Sequence, residues 1–116
     1  MTDNFVKKSN NPKKEIIIMA SILEKEGKHD DMRIISGILW HRLKVGMALQ
    51  VDAAPETYQS IGLPSTPISN PGLFAIDASE NPEVSPYFYY LHDKYGIVHL
   101  AKNFTEHKQN IKKYLK

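Results

Sequence analysis

Apolar and polar positions recur along this chain with two different periods, and each change of period marks an element. From Pro12 to Gly27 the spacing is helical. Ile16, Met19, Ala20, Ile22 and Leu23 form one broad apolar face, with Ser21, Glu24 and Lys25 on the other side. Asn11 suits the cap, Pro12 the first helical position and Gly27 the exit. A polar turn from Gly27 to Asp31 follows, with Asp30 or Asp31 capping a second helix that runs to about Val45 and stops at Gly46. Its stripe of Ile34, Ile35, Ile38, Leu39, Arg42 and Leu43 should pack on the first helix, leaving Trp40 and His41 off its centre. Trp40 then lids a groove or covers a core edge.

Between Met47 and Asp52 the period drops to two. Met47, Leu49 and Val51 face one way and Ala48, Gln50 and Asp52 the other, as in a short half-buried strand or extended segment. Gln50 and Asp52 thus share a polar face that suits either a cleft wall or plain solvent exposure. Ala54 to Ile61 predicts a short helical turn. Gly62 to Gly72 is a loop stiffened by Pro64, Pro67 and Pro71. Asn70-Pro71 reads as a cap and first position for a short helix from Gly72 to about Ser79. Tyr87 to His92 and Ile97 to Ala101 are β-prone and joined by Asp93-Lys94-Tyr95-Gly96, a hairpin signature. Tyr87, Tyr89 and Leu91 share one face; Phe88, Tyr90 and His92 share the other. Thr105 is the expected cap of a last helix striped by Phe104, His107, Ile111 and Tyr114. The fold predicted is α+β: an N-terminal helix pair, a small antiparallel sheet with a hairpin, and a C-terminal helix. Residues 12–116 make one domain, and 1–11 read as a flexible arm.

Composition changes this picture little. The 116 residues hold no cysteine, which removes disulfide and thiol chemistry, and the net charge is only +2. Lysines gather at the two ends rather than in a stripe, so a nucleic-acid footprint is weak. No apolar run approaches a membrane span, and the first dozen residues lack the apolar core of a signal peptide. The five histidines show no His-x-x-x-His spacing, so no metal is expected. There is no phosphate-binding glycine loop and no Gly-x-Ser-x-Gly.

One acid breaks the helical pattern. Glu26 falls between Met19 and Ile22, next to Leu23, about 160° around the helix from Glu24. A carboxyl held against an apolar face loses solvation of its charged form, and a protonated acid is what a glycosidic oxygen needs. The plainer reading is a rim residue whose carboxylate reaches water. Two-carboxylate glycosidases need a second acid opposite the first. Asp52 is the only other acid expected near a cleft.

Several motifs carry a resemblance. They are Met19-Ala20-Ser21-Ile22-Leu23-Glu24-Lys25-Glu26, the run from His41 to Asp52, Gly62-Leu63-Pro64-Ser65-Thr66-Pro67-Ile68-Ser69-Asn70-Pro71-Gly72, Tyr87 to Tyr90, His99, and Thr105-Glu106-His107. In this order and spacing the chain resembles the YceG-like endolytic murein transglycosylase family over residues 15 to 116. The resemblance implies that Glu26 is the catalytic acid and base, on a lysozyme-like helix. It implies cleavage of the β-1,4 bond between N-acetylmuramic acid and N-acetylglucosamine, with closure to a 1,6-anhydro end. The 6-hydroxyl of the substrate is then the nucleophile, so one carboxylate suffices and no cofactor is required. Gln50, Asp52, Tyr58, Asn70 and His99 match motif positions expected to bind substrate. Peptidoglycan glycan strands are the implied partner, peptidoglycan synthases a further one, and the implied location is the extracytoplasmic face of the plasma membrane.

The chain also departs from that family. The membrane anchor and LysM-like domain that normally precede this region lie outside the resemblance. Between Asp52 and Tyr58 the family carries a longer insertion, of which Pro55-Glu56-Thr57-Tyr58 remains. His41 replaces a common Asn, and Ala101 a common aromatic. The rival expectations are a non-catalytic glycan-binding module of the same family and, more distantly, a small basic nucleic-acid-binding domain.

Overall fold

The computed structural model describes residues 12–115. The expected arm and the Asn11 cap lie outside the described residues. Helix α1 spans Pro12–Glu26, α2 His29–Val45, α3 Leu73–Glu80 and α4 Phe104–Tyr114; strands β1 (Tyr89–His92) and β2 (Val98–Ala101) form an antiparallel pair. This is the α+β arrangement the periodicity predicts, with the C-terminal helix laid on the sheet.

The core sits where α1, α2 and α3 meet. Met19, Ala20, Ile22 and Leu23 pack with Met32, Ile35, Leu39, Trp40, Ala75 and Ala78. The helical face expected of α1 is therefore real, but burial is wider than one stripe. Ser21 was expected on the polar side and is fully buried. Its hydroxyl donates to the Ile18 carbonyl (2.6 Å) and accepts from the Ile68 amide (3.0 Å), while the Ser69 hydroxyl donates to the Ser21 carbonyl. The proline-rich loop thus closes over the back of α1, and its buried polar groups are paired. Trp40 likewise covers the core rather than a groove: it is 3% exposed and its indole N–H donates to the Ser79 carbonyl.

Helix ends depart from expectation in a consistent way. Lys28, not Asp30 or Asp31, is the N-cap of α2; both acids lie inside its first turn, where they still favour the helix dipole. Asn70 does not cap α3. Gly72 is its N-cap, and the Gly72 amide donates to Glu24 Oε1 (2.9 Å), so a carboxylate from α1 fills that role. Asn103, not Thr105, caps α4: it accepts from the Glu106 amide, and the Glu106 carboxylate accepts from the Lys102 amide. Gly46 ends α2 as expected, in the left-handed region at φ 79°.

Two segments connect the helices to the site. Residues 47–51 pair with no strand, so the strand alternative is absent, and Gln50 at φ 55° interrupts the extended one. Its alternation survives in part, with Leu49 and Val51 buried and Gln50 and Asp52 exposed. Thr57 folds this segment back: its hydroxyl accepts from the Val51 amide and donates to the Ala54 carbonyl, within a 3₁₀ turn at Pro55–Tyr58. The stretch before β1 crosses α2 at Gly37. A Cβ there would stand 1.9 Å from the Glu83 carbonyl oxygen, so only glycine permits the approach. In the hairpin, Tyr90 faces Leu100 and Leu91 faces His99.

Candidate active site

A cavity of about 580 Å³ opens between the end of α1, the 50–58 segment, β1 and α4. Glu26, the last residue of α1, lines it and is half-buried. The Tyr90 hydroxyl donates to Glu26 Oε1 at 2.6 Å, across 64 residues of sequence. Burial pushes Tyr90 well above its ordinary value, and the Glu26 charge adds to it. Tyr90 therefore stays a hydroxyl donor at any neutral pH.

Gln50, Asp52 and Tyr58 line the same cavity. The Tyr58 hydroxyl donates to Asp52 Oδ1. That bond, with burial second, pushes Tyr58 up to about 12. Gln50 adopts φ 55°, the left-handed region that a residue with a Cβ seldom occupies. The structure brings four of the six sequence-derived site residues together. Asn70 is exposed in the proline-rich loop and does not line the cavity. His99 lies outside it as well: its Nε2 meets Asp93 Oδ2 at 2.8 Å, and its ring stacks on Tyr114 at 3.5 Å. Asp93 is held below the usual carboxylate range, chiefly by that bond to His99.

Three further cavity residues shape the site and are not among the sequence-derived site residues: Tyr90, Arg42 and His107. From sequence, Tyr90 belongs only to a strand face shared with Phe88 and His92 and to the Tyr87 to Tyr90 motif. Arg42 read as part of the apolar stripe of α2, and a lone cation in such a stripe is the signal that could have marked it. It is 4% exposed. Its Nε donates to the Phe88 carbonyl at 2.7 Å, its Nη1 donates to the Leu49 carbonyl, and its guanidinium lies over the Tyr89 ring. Arg42 thereby ties the segment carrying Gln50 to the strand carrying Tyr90. Burial lowers its pKa, and the neighbouring tyrosines act in the opposite sense. His107 of α4 stacks on Tyr89 at 4.9 Å, and is held below its usual value by burial first and by Arg42 second.

The arrangement presents one carboxyl held by a tyrosine, a second held by another, and aromatic rings on a partly apolar wall. Among the described residues no group of three His, Asp or Glu side chains could hold a metal ion, and no helix is long and apolar enough to cross a membrane.

Comparison with known proteins gives the family and the fold. The chain belongs to the YceG-like family, whose profile matches residues 1–56 and 56–113. It is 27% identical to an endolytic murein transglycosylase of Streptococcus pneumoniae strain D39, over 139 residues that cover 95% of this chain and 25% of that protein. It is 27% identical to an endolytic murein transglycosylase of Bacillus subtilis strain 168, covering 87% of this chain and 34% of that one. A crystal structure of a YceG-like protein from Listeria monocytogenes superposes with a TM-score of 0.81 at 30% identity, over 92% of this chain and 42% of that one. The chain thus spans about a quarter to a third of the length of the curated relatives it matches. An alignment of 139 positions exceeds the 116 residues present, so the relative carries residues that this chain lacks. The two matches to the family meet at Glu56.

Proposed function

We propose that this domain is an endolytic peptidoglycan lytic transglycosylase, a carbon–oxygen lyase acting on a polysaccharide, with Glu26 as its acid and base. The observation that carries the reading is the Glu26 carboxyl at a cavity wall with one oxygen fixed by Tyr90. A fixed carboxyl beside a cleft can deliver a proton along one direction. Glu26 protonates the oxygen leaving the anomeric carbon of N-acetylmuramic acid, and the bond to that oxygen breaks. The resulting carboxylate then removes the proton of the 6-hydroxyl of the same muramoyl sugar. That oxygen bonds to the anomeric carbon, giving the 1,6-anhydro ring and returning the proton to Glu26. No water is consumed, which accords with a cavity whose other acid, Asp52, is occupied by Tyr58.

Gln50, Asp52 and Tyr58 would contact the sugars on one wall, and Tyr89 and Tyr90 on another. Asn70 and His99, if they meet substrate, would do so beyond this cavity, on a longer strand. Peptidoglycan glycan strands are the proposed partner, peptidoglycan synthases a further one, and the extracytoplasmic face of the plasma membrane the proposed site of action. The names of the curated relatives support the activity. The shortening that the family resemblance implies between Asp52 and Tyr58, where the family match divides at Glu56, favours a second reading, a glycan-binding module without turnover.

Digestion of purified peptidoglycan, with mass spectrometry of soluble products, tests both. Anhydro-muramoyl ends from wild type and none from Glu26→Gln are expected. Reducing ends would replace the lyase reading with hydrolysis, with Asp52 activating water. Retained glycan binding without products would leave the binding module.

A further inference from the structure

Arg42 is a buried cation with no carboxylate partner among the described residues, where His99 with Asp93 is the recorded ion pair. Neither acid of the cavity pairs with it: Glu26 and Asp52 each accept from a tyrosine hydroxyl. Two of its five N–H donors reach backbone carbonyls of Phe88 and Leu49. Its Nη2 has no hydrogen-bond partner among the described residues, although Arg42 lines the cavity. A buried guanidinium left in this state is costly unless something supplies the counter-charge.

A second observation lies beside it. His107 lines the same cavity, and neither ring nitrogen has a hydrogen-bond partner among the described residues; Nδ1 is fully buried. Its ring is packed on Tyr89, the tyrosine over which Arg42 lies. Lys25 adds a further cation to the lining. Arg42 and His107 therefore line the cleft without an acidic partner among the described residues.

We propose that Arg42, with His107, receives a carboxylate of the substrate, so that the cleft selects a muramoyl unit bearing a free acid. The inference rests on the glycan reading above. Guanidinium is suited to this ligand, because a planar carboxylate accepts from its N–H groups in charge-assisted hydrogen bonds. Two parts of peptidoglycan carry such a group: the lactyl carboxylate of a muramoyl sugar stripped of its peptide, and the free carboxylates of the stem peptide. Arg42 also holds two backbone segments, so the ligand rather than the arginine is the part to vary.

The test uses Glu26→Gln protein, which should bind without cleaving, and three N-acetylglucosaminyl-N-acetylmuramic acid disaccharides. One has a free lactyl acid, one the lactyl methyl amide, and one a stem peptide on the lactyl group. Binding is followed by the ¹⁵N signals of the Arg42 guanidinium and the His107 ring. The free acid should bind about tenfold more tightly than the methyl amide and move both sets of signals, as a charge-assisted bond requires. Preference for the peptidyl form, with the same signals moving, supports the site and assigns its carboxylate to the peptide. Equal affinity for all three overturns the carboxylate site and leaves the glycan reading intact. Binding of none overturns it too, and the digestion assay then decides whether the glycan reading falls with it.

Discussion

The Tyr90 hydroxyl donates to Glu26 Oε1 at 2.6 Å, joining the first strand of the hairpin to the last residue of the first helix. The bond sets the direction of the carboxyl and makes the hairpin part of the site rather than a cover for it. Tyr90→Phe keeps the ring and removes this donor. A hydrogen bond to a charged group contributes about 1.5–3 kcal/mol, so peptidoglycan cleavage should fall roughly 10- to 100-fold. A loss of that size should lower the melting temperature by roughly 5–15 °C and leave the protein folded at assay temperature. Wild-type turnover from this variant would show that Glu26 needs no support from the strand.

The two tyrosine–carboxylate pairs also govern alkaline stability. Tyr58 and Tyr90 hold their protons above the ordinary value of 10.0, Tyr58 up to about 12. Above pH 10 the unfolded chain releases these protons while the folded one retains them. Stability that is fully present below pH 10 is therefore lost as pH rises through the folded values. Urea midpoints taken from about pH 9 to about pH 11.5 should fall more steeply for wild type than for Tyr58→Phe/Tyr90→Phe. Parallel curves would mean that neither hydroxyl is held in solution as the structure shows.

Gly37 offers a test of packing. Alanine would improve the helix propensity of α2 by about 1 kcal/mol. Its Cβ would also stand 1.9 Å from the Glu83 carbonyl oxygen, whose residue is tethered by its own amide to the Arg33 carbonyl. The clash should win, with a net loss of about 1–3 kcal/mol and a lowered melting temperature. A raised melting temperature would show that the segment before β1 moves aside freely.

Gln50 tests whether strain and function coincide. Its φ of 55° disfavours a side chain, so Gln50→Gly removes a cost of order 1 kcal/mol and adds a comparable loss of chain entropy. The melting temperature should stay level or rise. Glycan affinity should fall about tenfold as the amide contacts disappear. A variant that loses stability and keeps affinity would place the role of Gln50 in the fold.

Local periodicity was enough to determine the two long helices, the hairpin and the last helix, because each depends on neighbours within a few residues. Glu26 stood out for the same reason: helical geometry alone separates it from Glu24. The cap of α3 was not legible, since it comes from Glu24, 48 residues before Gly72. Ser21 is buried because a distant loop folds over it, which no spacing within α1 reveals. Gln50, Asp52 and Tyr58 could be proposed as a wall from alternation and motif, but only the Thr57 turn brings them to the cavity of Glu26. The tyrosine that holds the acid, the arginine that ties both walls, and the separation of His99 from the cleft were decided by tertiary structure alone. Each arises from contacts between parts of the chain that meet only when the core closes, and a pattern read along one helix or strand carries no record of what will face it.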